Sequence, residues 1–180
     1  MAVEPFYDNI VRLHKAALAE PGSVERITLV TNALSDKRHE VKLLSSVPNN
    51  AGGQSLYENR KRQFARSDLK SNKYLVETVL LDDLVECLPP GFTQALLKVD
   101  IEGFEAFAFQ HAQALFSALD IRVIFMEWNT LAKQAGENAG MIEQMIEFLY
   151  ANKLRPYGNN TVPLERAQWT QWPYDIIWKK

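Results

Sequence analysis

Two apolar runs, each closed by an acid, organise the hydrophobic pattern of this chain. The first, Ala95-Leu96-Leu97, passes through Lys98 and Val99 to Asp100; Glu102 follows, and Gly103 opens a helical segment. The second is Ile121 to Glu127, IRVIFME. Short apolar runs bounded by turn signals suit strands buried on both faces, as inside parallel sheets. A carboxylate at the carboxyl end of such a strand stands at the rim where open α/β sheets bind ligands. Asp100 could instead cap the next helix, but Glu102 and Glu105 would still need water, a donor or a ligand.

Around these runs the pattern alternates between the two periods. Ala2-Val3 reads as the end of a strand. Ile10, Val11, Leu13, Ala17 and Leu18 make one helical face after Asp8, ending near Pro21-Gly22. Ile27 to Asn32, Glu40 to Ser45 and Lys73 to Leu80 have strand character, with Val76, Thr78 and Leu80 on one side. Leu81 to Leu88 is a short amphipathic helix stopped by Pro89-Pro90-Gly91. Phe107, Ala108, Ala112, Leu115 and Phe116 predict a helix over Glu105 to Leu119, and Met141, Met145, Ile146 and Leu149 another over Met141 to Tyr150. Leu154 to Tyr157 and Tyr174 to Trp178 form a closing antiparallel pair. Between them, from Asn159 to Trp172, runs a loop whose Trp169 and Trp172 either pack at the core edge or wall a pocket. Strands alternating with helices mean α/β architecture.

One long connection, Ser46 to Asn72, is polar. It holds Asn49, Asn50, Gly52, Gly53, Gln54 and Ser55, then Arg60, Lys61, Arg62 and Arg66. Connections of this length are usually functional or mobile, and an amide-rich loop at the rim suits a substrate lid. The basic cluster reads as a solvated helix face, or as a contact for an anionic substrate.

Composition narrows the function classes. The 180 residues suffice for one domain, 1–180, with a sizeable core. A net charge of −2 gives no electrostatic case for nucleic acid or a membrane surface. Cys87 is alone, so no disulfide framework or cysteine zinc site is expected. No run reaches the roughly 20 apolar residues of a bilayer span, and MAVEPFYD lacks the marks of a signal peptide. The expectation is a soluble, cytoplasmic domain.

LLKVDIEGFE at Leu96 to Glu105, followed by IRVIFME, resembles the second half of the FkbM-type methyltransferases. AVEP at the start, NALSD at Asn32 to Asp36, GGQSL at Gly52 to Leu56 and VLLDDLV before the central motif extend the likeness through most of the chain. His111-Ala112 stands where the family carries a Gly-Ala pair, and the family's first strand and glycine-rich loop have no counterpart. The resemblance implies a Rossmann-like class I methyltransferase sheet with helices on both faces, the first βα unit missing, and S-adenosylmethionine as cofactor. An exposed central edge would then favour pairing between two copies, a homodimer.

The resemblance also assigns roles. Glu4 would hold the cofactor's ribose hydroxyls, though an acid there also begins the next helix favourably. Asn32, Ala33 and Asp36 would meet the adenine, though Ser35-Asp36 equally makes an ordinary turn. Asp100 would face the methionyl end, and Glu102 and Glu127 would position or deprotonate the hydroxyl of a small-molecule acceptor. No metal is assigned; a magnesium site of Asp100, Glu127 and Asn129 is the second reading. His111 is a packed or surface histidine before it is a base. A third reading is a catalytically silent, truncated relative acting as an interaction module.

Overall fold

The two acid-tipped runs lie side by side. The computed structural model describes residues 1–47, 50–158 and 162–180, so Asn49 of the amide-rich stretch and Asn159 of the tryptophan loop fall outside it. In chain order the elements are β1 (Ala2–Val3), α1 (Tyr7–Ala19), β2 (Leu29–Val30), β3 (Ala33–Leu34), β4 (Val41–Leu43), β5 (Ser45–Val47), β6 (Asn50–Ser55), β7 (Leu75–Val79), β8 (Gln94–Val99), α2 (Glu105–Ala108), α3 (Gln113–Ala118), β9 (Asp120–Glu127), α4 (Asn129–Lys133), α5 (Ala135–Ala151), β10 (Arg155–Tyr157) and β11 (Asp175–Lys179).

The main sheet has the order β10-β11-β9-β8. β8 and β9 are parallel, and β11 and β10 close the sheet antiparallel, as the sequence pattern implies. One face carries Val99, Ile121, Ile124, Met126, Ile176 and Trp178, all buried. Against it pack Leu115, Leu131, Ile142, Met145, Ile146 and Leu149 from α3, α4 and α5. Each such side chain contributes about 1.5–3 kcal/mol on burial. The opposite face is the correction to the expected cover on both sides: Leu96 is 60% exposed and Phe125 39% exposed. Cross-strand partners share a face, so Lys98 beside Phe125 and Leu96 beside Val123 belong to this open surface. Among the described residues β8 is also the last strand of its sheet, while β1 pairs only with β2.

A second core holds Phe6, Ala33, Leu44, Leu56, Val76, Phe104 and Phe107, with Ile101 and Met141 touching both cores. Three expectations change in detail. The strand over Ile27 to Asn32 shrinks to β2. The connection Ser46 to Asn72 is no plain loop: β5 and β6 make a hairpin, followed by 3₁₀ turns at Tyr57–Asn59 and Arg66–Lys70. The helix over Glu105 to Leu119 breaks into α2, a 3₁₀ turn at Phe109–His111, and α3. Asp82 marks the break: its Oδ1 accepts the Leu115 N–H at 2.9 Å and so caps the first turn of α3 from outside the helix. Trp169 and Trp172 pack into the core, where Trp128 Nε1 donates to the Trp169 carbonyl at 2.7 Å.

Candidate active site

The parallel register Val99 with Met126 sets Asp100 beside Glu127. The turn after β8 then folds back. Glu102 and Gly103 both have left-handed backbone, with φ of 55° and 90°. Glycine tolerates that conformation, whereas a glutamate there is uncommon and must be held. Beside the Phe104 N–H bond to the Ile101 carbonyl at 3.3 Å, three contacts through side chains hold it. The Ile101 N–H donates to Glu105 Oε1 at 3.0 Å, Ser55 Oγ donates to the Glu102 carbonyl at 2.6 Å, and Gln134 Nε2 donates to the Gly103 carbonyl at 2.8 Å. The turn swings the Glu102 carboxylate toward the strand ends. Oxygens of Asp100, Glu102 and Glu127 lie within 4.8 Å of one another.

The charges respond to this crowding. Burial raises the pKa of Glu102, and the neighbouring Glu127 and Asp100 add to it. Glu127 is raised chiefly by burial, with Asp100 adding and a hydrogen bond from Tyr174 opposing. Tyr174, bonded to Glu127, is pushed up to about 12 and stays a donor at neutral pH. Lys98 Nζ meets Asp100 Oδ2 at 2.6 Å. Glu105 is fully buried, and burial pushes its carboxyl up to about 7.

The carboxylates divide three hollows. Asp100 and Glu102 border one of about 90 Å³, together with Glu4, Ala33, Gly52 and Gln54. Glu102 also borders a groove of about 590 Å³ beside Tyr57, Thr130, Lys133 and Gln134. Asp100 and Glu127 border a third, of about 430 Å³, with Phe125 and Asp175. Such a trio of oxygens also matches what a hard divalent cation takes, and two of its members, Asp100 and Glu127, belong to the magnesium reading of the sequence.

Of the residues expected at the site, Asp100, Glu102 and Glu127 meet, and Glu4 and Ala33 line the same small hollow as Asp100. Glu4 serves the helix start as well: Oε1 accepts the Phe6 N–H at 2.8 Å and Oε2 the Asn9 amide at 3.2 Å. Asn32 donates to the Glu77 carbonyl at 3.2 Å and lines a different hollow with Tyr7 and Lys73. Asp36 accepts from Ser35 Oγ at 3.0 Å. Lys61, Arg62 and Arg66 are exposed, and Arg60 is engaged with Glu137 and the Tyr57 ring. His111 is exposed. Tyr174 and Gln134 escape a reading of the sequence. Tyr174 reaches Glu127 only through the antiparallel register of β11 on β9, and Gln134 is a lone amide between two helices.

The family model of the methyltransferase FkbM domain matches residues 1–156. The chain belongs to the FkbM methyltransferase family. No curated protein and no solved structure matches it significantly. The part matched to the FkbM domain contains β8, β9 and all three clustered carboxylates, whereas Tyr174 lies beyond it.

Proposed function

We propose that this FkbM methyltransferase transfers a methyl group from S-adenosylmethionine to a hydroxyl of a small molecule. The observation that carries this reading is Glu102, which stands between the small hollow and the larger groove with Asp100 and Glu127 beside it. The cofactor, when bound, supplies an electrophilic methyl on a sulfonium. The donor set suits it: Glu4 and Asp100 accept from hydroxyl and ammonium groups, and buried Gln54 Oε1, without a hydrogen-bond partner among the described residues, borders the same hollow.

Methyl transfer needs the acceptor oxygen held in line and its proton removed. The groove of about 590 Å³ is of the size that takes a small molecule. Glu102, with a raised pKa, is suited to receive the hydroxyl proton, and Glu127, steadied by Tyr174, to orient the same hydroxyl. With the cofactor held by Glu4 and Asp100, Glu102 would take the hydroxyl proton of an acceptor that Glu127 orients toward the methyl group the cofactor would supply. The hollow of about 90 Å³ is smaller than the roughly 300 Å³ at the low end of ligand pockets, so the side chains that wall it, Gln54 among them, would have to give way on binding.

That narrowness is also what favours the competing reading, a catalytically silent interaction module. Calorimetric titration decides between them. Saturable S-adenosylmethionine binding that Asp100→Asn weakens about tenfold or more, with an unchanged melting temperature, is expected. Absence of saturable heat at millimolar cofactor would overturn the proposal.

A further inference from the structure

Gln134 has no part in the chemistry just described, yet it sits at a crossing of contacts. It is the residue between α4 and α5 and is 6% exposed. Its Nε2 donates to the Gly103 carbonyl at 2.8 Å, and its Oε1 accepts from Asn138 Nδ2 at 3.2 Å. An amide has one donor end and one acceptor end, so the Asn138 contact fixes which end points at Gly103. Asn138 departs from helical backbone inside α5, with φ of −122° and ψ of 18°, and its Nδ2 also reaches Tyr57 Oη at 3.2 Å. Tyr57 follows the β5–β6 hairpin; its N–H donates to Ser55 Oγ at 3.0 Å, and Ser55 Oγ donates to the Glu102 carbonyl.

The carbonyls of Glu102 and Gly103, the two left-handed residues, are therefore tied by separate routes to one hairpin. The route through Gln134 is tight: a Cβ on Gly103 would come within 2.3 Å of Gln134 Nε2. We propose that Gln134 is a positioning residue that holds the turn after β8 so that the Glu102 carboxylate reaches Asp100 and Glu127, and that through Asn138 and Tyr57 it couples this placement to the hairpin. The proposal deepens the reading of Glu102 as the acceptor-side carboxylate. A left-handed glutamate persists only where its surroundings over-determine it. With the amide gone, the turn relaxes and Glu102 moves toward solvent.

The test is carboxyl-resolved NMR titration of the whole chain, comparing wild type with Gln134→Met, which keeps the length of the side chain and removes both polar ends. The groups facing Glu102 are Asp100, Glu127, Lys98 and Tyr174, and none of them is changed. In Gln134→Met the Glu102 midpoint is expected to fall toward the ordinary glutamate range. A purely structural role would lower the melting temperature and leave that midpoint in place, and an unmoved midpoint in the folded variant overturns the proposal. Should Gln134→Met fail to fold, Asn138→Ala frees the acceptor end alone; it is expected to shift Glu102 in the same direction, and no shift there counts equally against it. Failure of the wild type to bind S-adenosylmethionine would remove the proposed reaction but would not alter this titration.

Discussion

A fully buried acid makes the stability of this chain depend on pH. Glu105 has one oxygen on the Ile101 N–H and the other without a hydrogen-bond partner among the described residues, at zero exposure. Its carboxyl is pushed up to about 7 in the folded state from an ordinary 4.5, so the folded chain holds a proton that the unfolded chain has released. The stabilising effect is fully present below pH 4.5, declines as pH rises from there to about 7, and is gone above. The loss amounts to about 3 kcal/mol, to order of magnitude. Glu105→Gln keeps an acceptor for Ile101 and cannot ionise. Its unfolding free energy is expected to fall clearly less between pH 5 and pH 8 than that of wild type, as urea denaturation at the two pH values will read. Asp100 behaves differently: it is exposed, paired with Lys98, and stands at the rim. Asp100→Asn should leave the denaturation midpoint in place and reduce methyl transfer about a hundredfold, as expected for a group that aligns reactants. Unaltered turnover would remove it from the site.

The turn after β8 is where elements, rather than residues, decide the outcome. Gly103→Ala places a side chain at φ of 90° and drives its Cβ against Gln134 Nε2. Left-handed strain and loss of a buried hydrogen bond together cost about 3 kcal/mol, which for a domain of this size lowers the melting temperature by roughly 6–12 °C. Gly140→Ala in α5, with nothing within 4 Å of the new Cβ, is expected to gain about 0.5–1 kcal/mol instead. A thermal melt of both variants separates backbone requirement from helix propensity. The same contrast explains what could be read beforehand. Strands β8 and β9, the closing pair β10 and β11, and helices α1 and α5 announce themselves by period and length. The break between α2 and α3 does not, because the cap that marks it comes from Asp82, which lies 33 positions before Leu115 in the chain. The meeting of Asp100 with Glu127 was legible from two acid-tipped runs. The arrival of Tyr174 was not, since it follows from a register 47 residues away. The resemblance assigned Asn32 to the adenine; in the fold its amide donates to the Glu77 carbonyl.

On the scale of the whole molecule the open face of the main sheet stands out. Helices cover one side; on the other, Leu96 and Phe125 are exposed, and Phe92, 62% exposed, precedes the same strand. β8 ends the sheet, so its outward N–H and C=O groups meet no strand of this chain among the described residues. An unpaired edge beside an apolar face invites another strand, and proteins usually blunt such edges with charge, of which Lys98 is the one example on β8. Six residues of ladder span only about 20 Å, so the strand edge alone covers a small part of the roughly 800 Å² per partner of a stable interface. Pairing between two copies is thus expected to be weak and to need the Leu96 and Phe125 face as well as the edge. Sedimentation over a range of concentration should show association that Leu96→Lys abolishes while the melting temperature is kept, because a residue so exposed contributes little to the core. If Leu96→Lys associates as wild type does, the contact lies elsewhere, and the cofactor-side rim, being untouched by either result, keeps its assignment.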